Sequence, residues 1–263
     1  MEKKIIFFTI SLFLILSSDF VFGVVNSFEK ICFDVNDRLE QTDSKAKIKS
    51  IERSKFYIFN SEINFDALAE RSKIIYDNSG NITTMETYGS EDFLISRNEY
   101  IYDKDGNLKK LLSFNQDSVL RDKKINKYDN NGFITKQLIY NDKGKQIAKS
   151  YYKTDEKGRV IEVEQFDTKS KTPLNYITKK YDDAGNLVEM FQSIEKGGKG
   201  EKFVYYYDSE NHEAGRDHFN EFGDIIESLQ YQSVYDENGN WIQRTITNMN
   251  VLVFVEKRDI GYY

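Results

Sequence analysis

The chain has 263 residues, of which 39% are hydrophobic and 30% charged, with a formal net charge of −6 at pH 7. Acidic and basic residues are interspersed, and no basic tract marks a nucleic-acid surface. Cys32 is the only cysteine, which excludes an internal disulfide framework.

Residues 1–23 read as a signal peptide. Lys3 and Lys4 make a basic start, Ile5 to Leu16 an apolar run interrupted by Thr9 and Ser11, and Ser17 to Gly23 a small polar stretch with cleavage expected after Gly23. The run falls short of the roughly 20 apolar residues of a membrane-crossing helix. The expected location is therefore outside the cytoplasm: periplasm, cell surface or secreted. Residues 24–45 form an N-terminal cap segment. Phe28, Ile31, Cys32, Val35 and Leu39 follow helical spacing, which predicts a short amphipathic helix over the edge of the first strand.

From residue 46 to 263 one motif keeps returning: Tyr-Asp, two variable residues, Gly, Asn, then an apolar residue. Full copies begin at Tyr76-Asp77 (with Gly80, Asn81), Tyr102-Asp103 (Gly106, Asn107), Tyr181-Asp182 (Gly185, Asn186) and Tyr235-Asp236 (Gly239, Asn240). A weaker copy is Tyr128-Asp129 with Gly132. Asp and Asn bond their own backbone a residue or two onward, and Gly supplies the positive φ that a right-twisted hairpin needs. The Tyr and the later apolar residue are strand formers. Each copy thus reads as strand, tight turn, strand.

Gly80, Gly106 and Gly132 lie 26 residues apart. A strand with its turn takes roughly 12 or 13 residues, so the unit is two strands and two turns. Fainter turns are expected at 89–92, 115–118 and 197–200. Charged residues occupy both parities of many strands. The predicted fold class is therefore all-β: an antiparallel meander of repeated β-hairpins forming an open, curved or spiral single sheet, apolar on one side.

These motifs resemble the YD repeats of the Rhs and wall-associated protein family, and in particular small exported bacterial members of a Bacteroidetes-like type. The resemblance covers about residues 46–263. It implies a β-hairpin spiral, export from the cell, binding or encapsulation, and no chemistry in the repeats. The chain is short beside the large Rhs toxins, and nothing like a toxin domain follows the repeats.

No catalytic or metal-binding constellation stands out, and no cofactor is expected. Asp103-Lys104-Asp105-Gly106 is half of a calcium loop, but position 112, where the loop needs Glu, is Leu. His212 and His218 sit near a polar turn and read as solvated. Glu162 and Glu164 share one strand face, with no second wall to make a glycosidase cleft. The leading expectation is a non-catalytic exported repeat protein, a binding or structural module working through an extended sheet surface. Its partners would be a glycan or a cell-envelope protein, with self-association through the sheet edges, and no nucleic acid. Tyr205, Tyr206, Tyr207 and Trp241 are the candidate ligand-binding residues, because their rings offer an apolar face and a polar handle. An outer-membrane β-barrel is the alternative. Against it stands Arg121 to Lys127, since a lipid-facing parity must be free of charge over about 9–11 residues. An enzyme acting on envelope polysaccharide is the third class, and would need a pocket with converging carboxylates.

Overall fold

In the computed structural model the described residues are 46–59, 62–169 and 171–263. The expected cleavage site at Gly23 and the helix over 24–45 lie outside them. Every regular element among the described residues is a strand. In chain order these are β1 (Ile48–Phe59), β2 (Glu62–Tyr76), β3 (Ile82–Tyr88), β4 (Leu94–Tyr102), β5 (Leu108–Asn115), β6 (Leu120–Tyr128), β7 (Ile134–Asn141) and β8 (Gln146–Thr154). The second half continues with β9 (Val160–Asp167), β10 (Pro173–Tyr181), β11 (Leu187–Ser193), β12 (Gly200–Tyr207), β13 (Glu213–Phe219), β14 (Ile225–Tyr235), β15 (Trp241–Asn248) and β16 (Val251–Tyr262).

Each strand pairs antiparallel with its neighbours in sequence, and the sheet closes: β1 lies beside β16 in a sixteen-strand barrel. This corrects the expected open sheet. Alternation and turn chemistry act within a hairpin and do not encode the angle summed over sixteen strands. That angle brings Ile51 opposite Ile260, Arg53 opposite Arg258 and Tyr57 opposite Phe254. Closure also removes the free edges expected for self-association, because the first and last strands hydrogen-bond to each other.

The Tyr-Asp turns explain the hairpins. Asp77 N–H donates to the Asn81 carbonyl (2.8 Å), and Gly80 N–H to the Asp77 carbonyl (3.0 Å). Gly80 has φ +83°, and the ladder register shifts beside it at Ile75/Tyr76. This is a type I turn followed by a left-handed glycine, a three-residue hairpin loop. The same pair of backbone bonds recurs at Asp103/Gly106, Asp129/Gly132, Asp155/Gly158, Asp182/Gly185 and Asp236/Gly239.

Strand parity sorts the two wall faces. On a closed barrel, side chains alternate between interior and exterior. Those on the concave face converge, so the more buried parity faces inward. In β4 that parity holds buried Asn98 and Tyr100, while Ile95 and Ile101 on the other are exposed. The inner wall combines apolar groups such as Leu111, Ile139, Val163 and Ile177 with a row of polar ones. Asn126, Gln137, Ser150, Gln165 and Asn175 are successive cross-strand partners on β6 to β10, and all are buried.

Candidate functional site

The two rims and the outer wall are the surfaces this barrel offers to a partner. One rim is built from the seven Tyr-Asp-type turns, from 77–81 to 236–240. In each, the leading Asp carboxylate caps the loop. Asp77 Oδ1 accepts from Ser79 N–H (2.8 Å) and Asn81 N–H (2.9 Å), and its Oδ2 accepts from Asn81 Nδ2 (3.1 Å). The Asn of the motif is therefore a partner of its Asp. Asp182 and Asn186 repeat the side-chain bond at 2.9 Å. Partial burial works to raise the Asp77, Asp155, Asp182, Asp208 and Asp236 carboxyls, but the hydrogen bonds they accept outweigh it and hold all five below the usual range. Asp103 is also held low, first by the Asn107 N–H.

The motif's Tyr has a second task. Its hydroxyl donates to the backbone carbonyl that opens the strand after the preceding Tyr-Asp turn. Tyr102 reaches Ile82 (2.9 Å), Tyr128 reaches Leu108 (2.7 Å), Tyr181 reaches Val160 (3.0 Å) and Tyr207 reaches Leu187 (3.0 Å). Consecutive hairpins are thereby tied at this rim. The last of them ends on Tyr262, whose hydroxyl donates to the Asp236 carboxylate, and Tyr263, which donates to the Tyr76 carbonyl across the closing seam (2.7 Å).

The far rim uses the same turn with weaker spelling. Asn115 Oδ1 accepts from Asp117 and Val119 N–H (3.1 and 2.9 Å), and Asn220 Oδ1 from Phe222 and Asp224 N–H (2.9 Å each). The left-handed position holds Gly144, Gly197 or Gly223 in some turns and Asp92, Ser118 or Lys171 in others. Sequence reading found these turns only faintly, because Asn in the Asp place and non-glycine residues at positive φ hide the repeat.

The candidate ligand-binding aromatics do not form one exposed face. Tyr205 is buried on the inner wall, Tyr206 is exposed outward with its hydroxyl donating to Asp217 (2.6 Å), and Tyr207 is held by its bond to Leu187. Trp241 is 5% exposed, between the guanidinium groups of Arg244 and Arg258 at 4.5 and 3.3 Å. An Asp or Tyr at the end of a strand is legible in sequence. Which parity faces the concave side is not.

No group of metal-binding side chains occurs among the described residues. His218 stacks on Phe203 at 4.1 Å and bonds Glu201 (3.0 Å), while His212 stacks on Tyr235 at 4.4 Å. Glu162 takes Lys153 (2.6 Å) and Lys196 (3.5 Å) as ion-pair partners.

Charge runs through the outer wall. The outward row Ile101, Lys110, Ile125, Leu138, Lys149, Phe166 crosses six strands and sets two lysines among four apolar side chains. In the segment Arg121 to Lys127, Arg121, Lys123 and Lys127 face outward beside Ile125, whereas Lys124 and Asn126 are buried inside.

No family model matches the chain, and no curated protein matches it. Among solved structures it is similar in fold to a porin-like protein from Bacteroides uniformis, with TM-score 0.52 and 11% identity, covering 81% of this chain and 98% of that one. A porin-like protein from Bacteroides vulgatus gives TM-score 0.37 at 11% identity, over 83% of this chain and 99% of that one. The Tc holotoxin pore of Photorhabdus luminescens gives TM-score 0.35 at 14% identity, over 78% of this chain and 11% of that one. At these identities the first similarity speaks to fold alone, and the fold it speaks to is a barrel.

Proposed function

We propose that the chain is an exported β-barrel protein of the outer membrane. Closure of sixteen antiparallel strands, each paired with its sequence neighbours, carries this reading. Single-chain bacterial outer-membrane barrels have an even number of antiparallel strands, because both ends of the chain then finish on one side and the last strand can meet the first. The likeness in fold to the porin-like protein of Bacteroides uniformis supports it, as does the leader read in residues 1–23. The extended-surface binding module is set aside, since the open sheet it required is a closed wall and two of its four aromatics, Tyr205 and Trp241, are buried. On this reading the Tyr-Asp motif is the device that makes and spaces the hairpins.

A second reading has its own observation, the charge on the outer wall. A Lys or Arg facing lipid at the bilayer midplane costs about 2–4 kcal/mol, and a single row holds Lys110 and Lys149. The barrel would then be wetted on its outside and meet the membrane peripherally. Membrane fractions of the producing cell, washed with alkaline carbonate, separate the two. An integral barrel stays with the pellet and a peripheral one is released. A protein found only in the soluble fraction before the wash would overturn both.

A further inference from the structure

We propose that the far rim, over the turns joining β7 to β8, β9 to β10 and β11 to β12, is a docking surface for an anionic phospholipid headgroup layer. The inference rests on membrane association in the second form above, and adds which part of the barrel touches lipid and which way it points.

Two independent features coincide on this sector. The first is charge. The three turns, with the strand-end residues that open them, hold Lys143, Lys145, Lys169, Lys171, Lys196 and Lys199 against Asp142, Asp167 and Glu195, a formal +3. All six lysines are exposed. The opposite rim is the reverse: its seven Tyr-Asp-type turns hold twelve acidic residues against three basic, a formal −9. The seven leading Asp carboxylates among them are capped by backbone donors. The basic sector is local: the other described far-rim turns add Glu91, Asp92, Asp117, Glu221 and Asp224 with no Lys or Arg, so the far rim as a whole is weakly acidic and the three-turn sector is its positive part.

The second feature is apolar exposure. Ile194, 70% exposed, stands in the β11–β12 turn, and Ile147 and Leu174 lie exposed one residue inside the other two turns. Phe222, 71% exposed, flanks the sector from the next turn, β13–β14, which also carries Glu221 and Asp224. Lys199 sits 5.1 Å over the Phe222 ring, so charge and apolar tip belong to one patch. Single apolar side chains flanked by lysines, spread over neighbouring hairpins, make no groove for a folded partner. They suit a fluid interface, where tips enter the acyl boundary and ammonium groups stay with the phosphates. Lys and Arg near an anionic leaflet are each attracted to it, while the strongly acidic rim is repelled. The barrel would therefore stand end-on, with the Tyr-Asp rim pointing away.

The test is flotation of the purified exported protein with vesicles of 30% phosphatidylglycerol in phosphatidylcholine, and with phosphatidylcholine alone. Three variants accompany the wild type: Lys143→Ser/Lys169→Ser/Lys196→Ser, Ile194→Ser/Phe222→Ser, and the opposite-rim control Val234→Ser/Ile242→Ser. The wild type and control are expected to float on the anionic vesicles, and both far-rim variants to partition about tenfold less. High salt should abolish most of the wild-type binding. Far-rim variants that float like the wild type would overturn the docking inference and leave membrane association standing. A wild type that floats on neither lipid would overturn the peripheral reading on which this inference rests. If a variant loses its β-sheet circular dichroism, the wild type's salt and lipid dependence still decides: equal binding to both vesicle types at high salt would sink the proposal.

Discussion

Gly106 and Ser118 occupy the same place in the same kind of turn at opposite rims, and exchanging them should move stability in opposite directions. Gly106 has φ +82°, and Ser118 φ +59°. A Cβ built on Gly106 meets nothing within 4 Å, so packing contributes nothing to the cost of Gly106→Ser. What remains is the left-handed backbone, about 1–2 kcal/mol for an L-residue, reduced by roughly 0.5–1 because serine loses less chain entropy on folding than glycine. The expected net loss is about 0.5–1 kcal/mol. Ser118→Gly should gain a similar amount, because the strain it removes exceeds the entropy it adds. With a urea slope of about 1–3 kcal/mol/M, the two midpoints should separate by roughly 0.5–1 M, with the wild type between them. The double exchange should return close to wild type, since sites this separate are expected to add. Equal midpoints for all four proteins would refute the assignment of a left-handed residue to these turns.

Trp241→Ala should cost about 3–5 kcal/mol, the range for a large buried aromatic, read by far-ultraviolet circular dichroism because Trp241 is the only tryptophan. A loss under 1 kcal/mol would place the ring outside the core. The capped carboxylates have depressed pKa values, so the stability they contribute is present above the unfolded Asp pKa and lost as pH falls through the lower folded values. Denaturant midpoints should therefore be insensitive to these groups from pH 7 to 5 and fall below about pH 4. Asp182→Asn keeps the Oδ1 acceptor, as Asn115 and Asn220 do at the far rim, and should lower the neutral-pH midpoint less than Asp182→Ala while flattening the acid loss. A steeper acid loss in Asp182→Asn would contradict the capping role. Finally, Ser54→Cys/Lys257→Cys in a Cys32→Ser background should form a disulfide under mild oxidation, because direct cross-strand partners bring Cα atoms within bonding range. An open meander would leave those two positions on opposite edges.

The hairpins were legible because each is written locally: Asp77, Gly80 and Asn81 carry the turn bond by bond, and the alternation around Tyr100 and Phe203 carries the strand. Closure was not legible. It depends on coiling shared by every strand and on the pairing of Ile51 with Ile260 from the two ends of the domain, which no local pattern announces. The inward parity was hidden for a related reason. Gln137 and Gln165 are buried inside while Ile101 and Ile147 are exposed outside, so hydrophobicity alone points to the wrong face. The aromatic candidates divide between the two faces for the same reason. Tyr205 and Tyr206 are neighbours with opposite fates, decided by the sheet's curvature rather than by their chemistry.

Closure also sharpens what the 26-residue period means. One period is two strands, so deleting a period preserves the direction of everything downstream and deleting half of one reverses it. Removing residues 108–133 takes out β5 and β6 with one turn of each rim, and joins Asn107 to Ile134 with the Tyr102 motif intact. Fourteen antiparallel strands remain, and β16 still runs antiparallel to β1. Removing residues 108–119 takes out β5 alone. Fifteen strands remain, β16 would run parallel to β1, and the pairing of Ser54 with Lys257 could not form. In an open meander both deletions would simply shorten the sheet, and the half-period deletion would fail only at its own junction. The Ser54→Cys/Lys257→Cys crosslink, made in each deletion, tells these apart. The full-period deletion should keep the crosslink and the half-period deletion should lose it. If the half-period deletion formed the crosslink with wild-type circular dichroism, the seam between β1 and β16 would not be what holds this sheet together.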